Sequence, residues 1–241
     1  MKRLLGLGVA LLAFPAAALA AGLNITWTDC YPTGTNDRNF NCTAASNNDL
    51  QFQYKVGVDI PHFTGMSSIV DAVDQTAGSN PLPPFWHYEA CNGTGTAFSS
   101  DFSVSPAGCQ SGAFSDTWGG QTPTVQRIAA YGPDNPQPGR GRFVLSAVIS
   151  GESPLTANTN YWCWRLRFNT NNRATCPGCT HWVALYWRSA NFARSDDPEE
   201  IVVTGPDNSK KVHGDVATIN AAMDGDPTRA STWGQLKTLY R

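Results

Sequence analysis

The chain has 241 residues, with 17 Lys and Arg against 19 Asp and Glu, a formal charge of −2 at pH 7 and only 15% charged residues. This balance argues against a nucleic-acid partner, which usually requires a basic face, because Arg and Lys are scattered. The densest local cases are Arg140 with Arg142 and Lys210 with Lys211. The length and the abundance of Gly and Asn suit one large, turn-rich β-domain.

The first twenty residues predict a secretory signal peptide. Lys2 and Arg3 precede an apolar run that Pro15 interrupts, and Ala-Leu-Ala at positions 18–20 is a small-residue exit. We expect cleavage after residue 20 or 21, with no membrane span left after cleavage. The mature chain is then secreted, extracellular or periplasmic, with association to the cell surface as one option. Loss of Lys2 and Arg3 leaves 15 basic and 19 acidic residues, a formal charge of −4.

Seven cysteines follow the signal peptide, and export to an oxidising compartment favours disulfides among them. Sequence proximity suggests closing the loops Cys30–Cys42 and Cys91–Cys109, and joining Cys163 to either Cys176 or Cys179. One cysteine stays unpaired in a monomer. The sequence leaves this pairing open, because six cysteines already allow 15 connectivities. The candidates are Cys30, Cys42, Cys91, Cys109, Cys163, Cys176 and Cys179.

Strand patterns dominate the middle of the chain. Apolar residues occupy every second position of 52–60, and β-branched and aromatic residues crowd the other predicted strands. These patterns predict an all-β, mostly antiparallel and disulfide-braced β-sandwich over residues 21–213, of jelly-roll or immunoglobulin/cohesin-like type. The other predicted strands are 66–73, 143–149, 161–168, 181–187 and 201–204, and the turn-rich links are 77–84, 105–124 and 131–141.

Two of the predicted strands carry most of the tryptophans. Strict alternation in 161–168 places Trp162 and Trp164 on one face. In 181–187 both faces are apolar, which predicts a central strand covered on both sides. Most tryptophans of these strands are therefore expected in the core.

Helical signals are confined to the end of the chain. Residues 215–223 suit a short helix, and Asp226 with Pro227 resembles the start of a final one. Residues 214–241 are therefore predicted as a helical tail. The tail either docks on the sandwich or detaches to bind a protein partner.

The Cys-Pro-Gly-Cys segment at 176–179 has three interpretations. Cys163, Cys176, Cys179 and His181 have a spacing that permits tetrahedral Zn²⁺. A redox motif needs a helix after the first cysteine, whereas a strand is predicted here. An oxidising compartment favours the third interpretation, a structural turn with a disulfide. We therefore expect no resident metal.

Three segments carry a resemblance to known sequences. GLNITWTDC at 22–30, CPGC at 176–179 and TWGQLKTLYR at 232–241 are similar to segments of uncharacterised secreted bacterial proteins. The three segments together make up 23 of the 241 residues. The resemblance implies an exported protein, and it implies no activity.

Aromatic residues in the predicted loops are the candidates for ligand contact. Trp86, Tyr88 and Trp118 lie in Pro- or Gly-rich links, where an exposed ring can stack on a sugar or a peptide. The competing interpretation is that these rings plug the end of the sandwich.

Catalytic signatures are absent from the sequence. No G-x-S-x-G, H-E-x-x-H, P-loop or dinucleotide motif occurs, and no cofactor is implied. Glycoside hydrolysis needs two facing carboxylates, and no spacing selects a pair. The carboxylates nearest to aromatic residues are Asp59, Asp71, Asp74 and Glu89.

The sequence thus favours a secreted or envelope-associated binding module without catalytic activity, for carbohydrate or another surface polymer. The first alternative is a structural or assembly protein of the cell surface that acts through its C-terminal tail or its odd cysteine. A glycan hydrolase is the weaker alternative.

Overall fold

Period-two alternation of apolar and polar side chains builds two β-sheets that pack face to face. The computed structural model describes residues 21–76, 82–87, 98–102, 109, 114–130, 140–170, 176–206 and 214–221. Within these residues all regular structure is β-strand except one short 3-10 helix, Pro84–Trp86. The predicted all-β, disulfide-braced sandwich is confirmed.

The first sheet has five strands. Its order is β1–β3–β9–β5, all antiparallel, and a short strand β6 pairs in parallel with β9. The strands are β1 (Gly22–Trp27), β3 (Asn47–Lys55), β5 (Phe98–Asp101), β6 (Ser115–Asp116) and β9 (Asn160–Asn169).

The second sheet has seven strands. Its order is β2–β12–β10–β4–β8–β7, and β11 pairs with the far end of β10. Among the described strand pairs of this sheet, only β2–β12 is parallel. The strands are β2 (Asp37–Arg38), β4 (Phe63–Asp74), β7 (Thr124–Ala130), β8 (Arg140–Val148), β10 (Val183–Arg194), β11 (Ile201–Val203) and β12 (Val216–Ile219).

Aromatic rings fill the space between the two sheets. Trp187 of β10 meets Phe52 of β3 edge to face, with ring centroids 5.0 Å apart. Tyr54 of β3 and Phe192 of β10 lie 4.8 Å apart. Such contacts add to the stabilisation that comes from burying large apolar surfaces. All these rings are buried, so the core joins both sheets into one unit.

Two bulges change which side chains face the core. In β9 the pairing with β3 shifts at Cys163, so Trp164 enters the core whereas Trp162 lies on the other face. The prediction that Trp162 and Trp164 share a face is therefore wrong. In β10 a second shift falls between Trp187 and Ser189, at Arg188. An extra residue in one strand reverses the alternation beyond it.

Most predicted strands are found, with shifted ends. The central position of β10 is confirmed, because the strand lies between β12 and β4. The helix predicted over 215–223 is wrong, because Val216–Ile219 forms strand β12. The final helix predicted after Asp226 lies outside the described residues.

Disulfides connect segments that are far apart in sequence. Cys30 is bonded to Cys109, and Cys42 is bonded to Cys179 across 137 residues. The short-range pairs Cys30–Cys42 and Cys91–Cys109 are therefore wrong. So is the pairing of Cys163 with Cys176 or Cys179, because Cys163 is a free, buried thiol. Proximity in sequence failed as a guide because the sandwich brings distant loops together.

Peptide mapping without reduction is expected to recover three bridges. Two are Cys30–Cys109 and Cys42–Cys179. Cys176 is also disulfide-bonded, whereas Cys163 is not. A mapped bridge that includes Cys163 would contradict this expectation.

Candidate functional site

The outer face of the seven-stranded sheet carries a group of charged side chains at its centre. Asp71 on β4 lies between Tyr186 of β10 and Arg142 of β8 in the pairing register. Arg140 lies two residues before Arg142 on the same face, and the β10 bulge adds Arg188. We call these five residues the outer arginine cluster.

Asp71 is the buried centre of the outer arginine cluster. Its carboxylate accepts two hydrogen bonds from Arg142, from Nε at 2.7 Å and from an Nη at 3.0 Å. Arg188 donates a third from Nε at 2.9 Å. The nearest nitrogen of Arg140 is 3.9 Å away, beyond hydrogen-bond distance. Three guanidinium groups thus surround one carboxylate, whose side chain is only 1% exposed.

The electrostatics of the three arginines differ. The hydrogen bond to Asp71 raises the pKa of Arg142 above its usual value. Burial lowers the pKa of Arg140; the charge of Asp71 opposes this effect, and the like charges of Arg188 and Arg142 add to it. Asp71 therefore compensates the positive charge of Arg140, whose nearest nitrogen is 3.9 Å away, less than that of Arg142.

Packing holds the outer arginine cluster in place. The guanidinium carbon of Arg188 lies 4.4 Å from the ring centroid of Tyr186, a cation–π distance. Tyr186 in turn belongs to a small apolar patch with Val73, Ala184 and Val216. Since four neighbouring strands supply these residues, a ligand would meet side chains that are already ordered.

The outer face of the five-stranded sheet offers a contrast. There Arg167 makes a two-point contact with Asp49, and Arg165 reaches Asp101 at 2.7 Å. Two arginines thus meet two aspartates. The charges of these two ion pairs balance, whereas the outer arginine cluster has two positive charges in excess.

Two of the three predicted aromatic contacts are buried. Trp86 packs with Phe40 and Phe168, and its Nε1 donates to the Gly178 carbonyl at 2.7 Å. Trp118 donates from Nε1 to the Cys163 carbonyl at 3.1 Å. Both rings are fully shielded from solvent, so the prediction of exposed platforms at these residues is wrong. Tyr88 lies outside the described residues.

The structure does not assemble the zinc set. Cys176 and Cys179 are disulfide-bonded, so neither sulfur is a thiolate ligand. The imidazole of His181 is directed to Asp74, with Nδ1 and Oδ2 2.8 Å apart. The Cys-Pro-Gly-Cys segment is a turn, with Gly178 at φ +107°, and β10 follows it. This agrees with the structural-turn interpretation.

Cys163 is expected to be unreactive in the folded protein. Its thiol is completely buried and donates to the Phe52 carbonyl, and burial raises its pKa well above the usual 9.0. A thiol reagent without reductant should therefore label one cysteine per chain only after denaturant is added, with Cys163→Ala as the control. Labelling of the folded protein within minutes would contradict this burial. An intermolecular bridge through Cys163, as the assembly hypothesis included, conflicts with the same geometry.

The predicted carboxylates do not form a catalytic pair. Asp71 is occupied by the arginines, and Asp74, three residues further along β4, lies on the opposite face. Asp59 accepts a hydrogen bond from the Ala157 amide, and Glu89 lies outside the described residues. A glycosidase needs two carboxyl groups on either side of one bond. No described pair among these candidates meets that need.

A serine, a histidine and a glutamate meet near one end of the sandwich. His62 Nδ1 lies 2.9 Å from Glu152, and the Ser195 hydroxyl donates to the same carboxylate. A nucleophile triad instead requires the serine to contact the histidine. The arrangement ties together three links between strands, and it does not activate Ser195.

The His62–Glu152 contact predicts a pH-dependent stability. The hydrogen bond to Glu152 raises the pKa of His62 above 6.5, and hydrogen bonds from Ser195 and His62 lower the pKa of Glu152 below 4.5. The contribution of His62 is complete below pH 6.5 and is lost as pH rises through its raised pKa. That of Glu152 is complete above pH 4.5 and is lost as pH falls through its lowered pKa.

An NMR titration checks this expectation. Glu152→Gln should return the pKa of His62 towards 6.5, and its stability deficit should be largest between pH 4.5 and 6.5. His87 is the internal control. Burial, and not Glu152, lowers the pKa of His87, so its titration should be the same in the wild type and the variant. An unchanged His62 pKa in the variant would show that the contact does not form in solution.

Part of the outer arginine cluster was visible in the sequence. Arg140 and Arg142 stood out as a local basic pair, and Asp71 as a carboxylate near aromatic residues. Arg188 was missed, because only the bulge in β10 places it beside Asp71. No pattern in the sequence indicated that strands β4, β8 and β10 are neighbours.

Comparison with protein families and with curated proteins gives no match. No protein-family model matches the chain, and no curated protein is significantly similar to it. Within the described residues, no helix has the length and apolar character to cross a membrane.

Proposed function

We propose that this protein is an exported, non-catalytic binding module that contacts carbohydrate or another surface polymer through the outer face of its seven-stranded sheet. The outer arginine cluster carries the proposal, because it concentrates ordered hydrogen-bond donors and an aromatic ring at the centre of a rigid sheet. Ligand sites need such positioned polar groups on a fixed scaffold.

The disulfides support the exported location. Bridges such as Cys42–Cys179 persist in extracellular and periplasmic compartments and are rare in the reducing cytosol. The predicted signal peptide points the same way. The proposed ligand is therefore one that the outside of a cell offers.

A pull-down on insoluble polysaccharides and cell-wall material tests the proposal. Val144 lies on the outer face of β8, two residues from Arg142, so Val144→Trp should block the face and abolish retention. Val58 is 49% exposed in a link outside the strands, and Val58→Trp is the control that should bind like the wild type. Equal retention of both variants, or retention of neither by any polymer in the panel, would count against the proposal.

The assembly role is the second candidate. Strand β7 ends the described seven-stranded sheet, and β8 is its one partner within the described residues. An open edge can template pairing with another chain. Light scattering of the purified protein tests this role. A stable dimer that persists when residues 222–241 are removed would assign it to the edge, and one that is lost would assign it to the tail.

A further inference from the structure

We propose that the outer arginine cluster binds a carboxylate of an acidic polysaccharide, with Arg140 as the principal donor. This inference rests on the proposed function and specifies the class of its ligand. The charge count is its starting point, because three guanidinium groups surround a single carboxylate. The negative charge of an acidic ligand would offset the excess positive charge of the cluster.

Two of the three arginines already supply the hydrogen bonds that the Asp71 carboxylate accepts. Arg142 alone engages both of its oxygens in the two-point geometry that suits a carboxylate, and Arg188 adds one more bond. Arg140 donates no hydrogen bond to any described residue, although its side chain is only 11% exposed. No nitrogen of Arg140 is both buried and without a partner, so its N–H donors remain accessible to a ligand that supplies an acceptor.

Repulsion within the cluster favours the same ligand. Arg140 lies close enough to Arg142 and Arg188 for their like charges to act on it. A bound carboxylate removes this repulsion and can also accept from the N–H groups of Arg188 that Asp71 leaves unused. The two-point contact between Arg142 and Asp71 shows, within the protein, how an arginine of the cluster would bind a ligand carboxylate.

The ordering of the cluster lowers the cost of binding. The ring of Tyr186 supports Arg188, and the bulge in β10 fixes where Arg188 leaves the strand. Bulges of this kind redirect a side chain and are frequent beside functional sites. The side chains therefore lose little conformational freedom when a ligand arrives.

The overall charge argues for a polysaccharide and against a nucleic acid. The chain without its first twenty residues carries a formal charge of −4, and one local cluster does not provide the basic face that a phosphate backbone needs. A polymer with one carboxylate on each sugar presents acid groups one sugar apart, so that one or two of them can offset the two positive charges in excess at the cluster.

Affinity electrophoresis with four polymers tests the inference. The mature chain should be retarded by polygalacturonate and not by neutral dextran, while dextran sulfate and DNA distinguish carboxylate from sulfate and phosphate. Arg140→Gln should weaken the polygalacturonate effect by about tenfold or more, the value of a lost charged hydrogen bond. Because Arg140 makes no hydrogen bond to Asp71, this variant should retain the fold.

Arg167→Gln is the matched control. It removes the same charge and also lies beside an aspartate, but on the outer face of the other sheet. Its affinity for polygalacturonate should equal that of the wild type. Equal losses in both variants, equal retardation by dextran, or stronger retardation by DNA or dextran sulfate would overturn the assignment to a carboxylate.

A small-ligand measurement separates this inference from the proposed function. Sodium galacturonate at millimolar concentration should raise the Tm of the wild type and of Arg167→Gln, and not that of Arg140→Gln. If this pattern is found but no polymer binds, the carboxylate site stands and the polymer-binding function fails. If neutral polymers bind through this face and galacturonate has no effect, the function stands and the carboxylate inference fails.

Discussion

Replacing Cys42 and Cys179 together by serine is expected to lower the free energy of unfolding by about 5 kcal/mol. The bridge closes a loop of 137 residues, more than half of the chain. In the loop-entropy model the stabilisation grows with the length of the loop, because the cross-link restricts the unfolded chain. Urea unfolding without reductant measures the loss, and the slope with urea should increase as the unfolded chain expands.

The second bridge provides the control for this prediction. Cys30→Ser with Cys109→Ser opens a shorter span of 79 residues and should cost slightly less, about 4.5 kcal/mol in the same model. A loss under about 1 kcal/mol in the first variant would show that restriction of the unfolded chain is not what this bridge contributes. Cys163→Ala checks that cysteine removal by itself does not alter the unfolding slope.

Trp118→Ala is expected to destabilise the protein by about 3–5 kcal/mol without weakening polymer binding. The ring is fully buried against Phe63 and Phe102, so its removal opens a cavity in the core. It also leaves the Cys163 carbonyl without the indole N–H. Thermal and urea unfolding measure the loss, and binding is compared at a temperature where both proteins are folded.

Two variants make this result interpretable. Trp118→Phe keeps an aromatic ring and loses the indole donor, so it should cost less than alanine. Val148→Ala changes a side chain that is 51% exposed and should stay within about 0.5 kcal/mol of the wild type. If folded Trp118→Ala bound no polymer while its stability was nearly unchanged, the tryptophan would be a ligand contact after all.

The strands could be predicted where the alternation was long. Strands β4, β8, β9 and β10 each carry enough β-branched and aromatic residues for their pattern to be clear. Strand β12 was missed because four residues give no measurable period, and the alanines after it favour a helix. Its strand state comes from its neighbours in the sheet, which local propensity does not contain.

The bulges mark the limit of reasoning from alternation. A single extra residue at Cys163 moved Trp162 to the outer face, and one at Arg188 created part of the candidate site. Neither position carries a glycine that would signal an irregularity in the sequence. The prediction for the loop tryptophans is wrong because Trp86 and Trp118 lie in links between strands but direct their rings into the core.

The position of β12 governs how the chain can be assembled. Asn36, just before β2, donates to the Val216 carbonyl 180 residues later, and the indole of Trp27 donates to Thr218. In a polypeptide that emerges amino terminus first, β2 and the indole of Trp27 therefore exist long before their partners in β12. Contacts of this range make folding slow, because a very long loop must close before they form. Without β12 the seven-stranded sheet has no link between β2 and β10, so a cut at residue 213 would remove the described partner of β2 and uncover the edge of β10 that β12 covers.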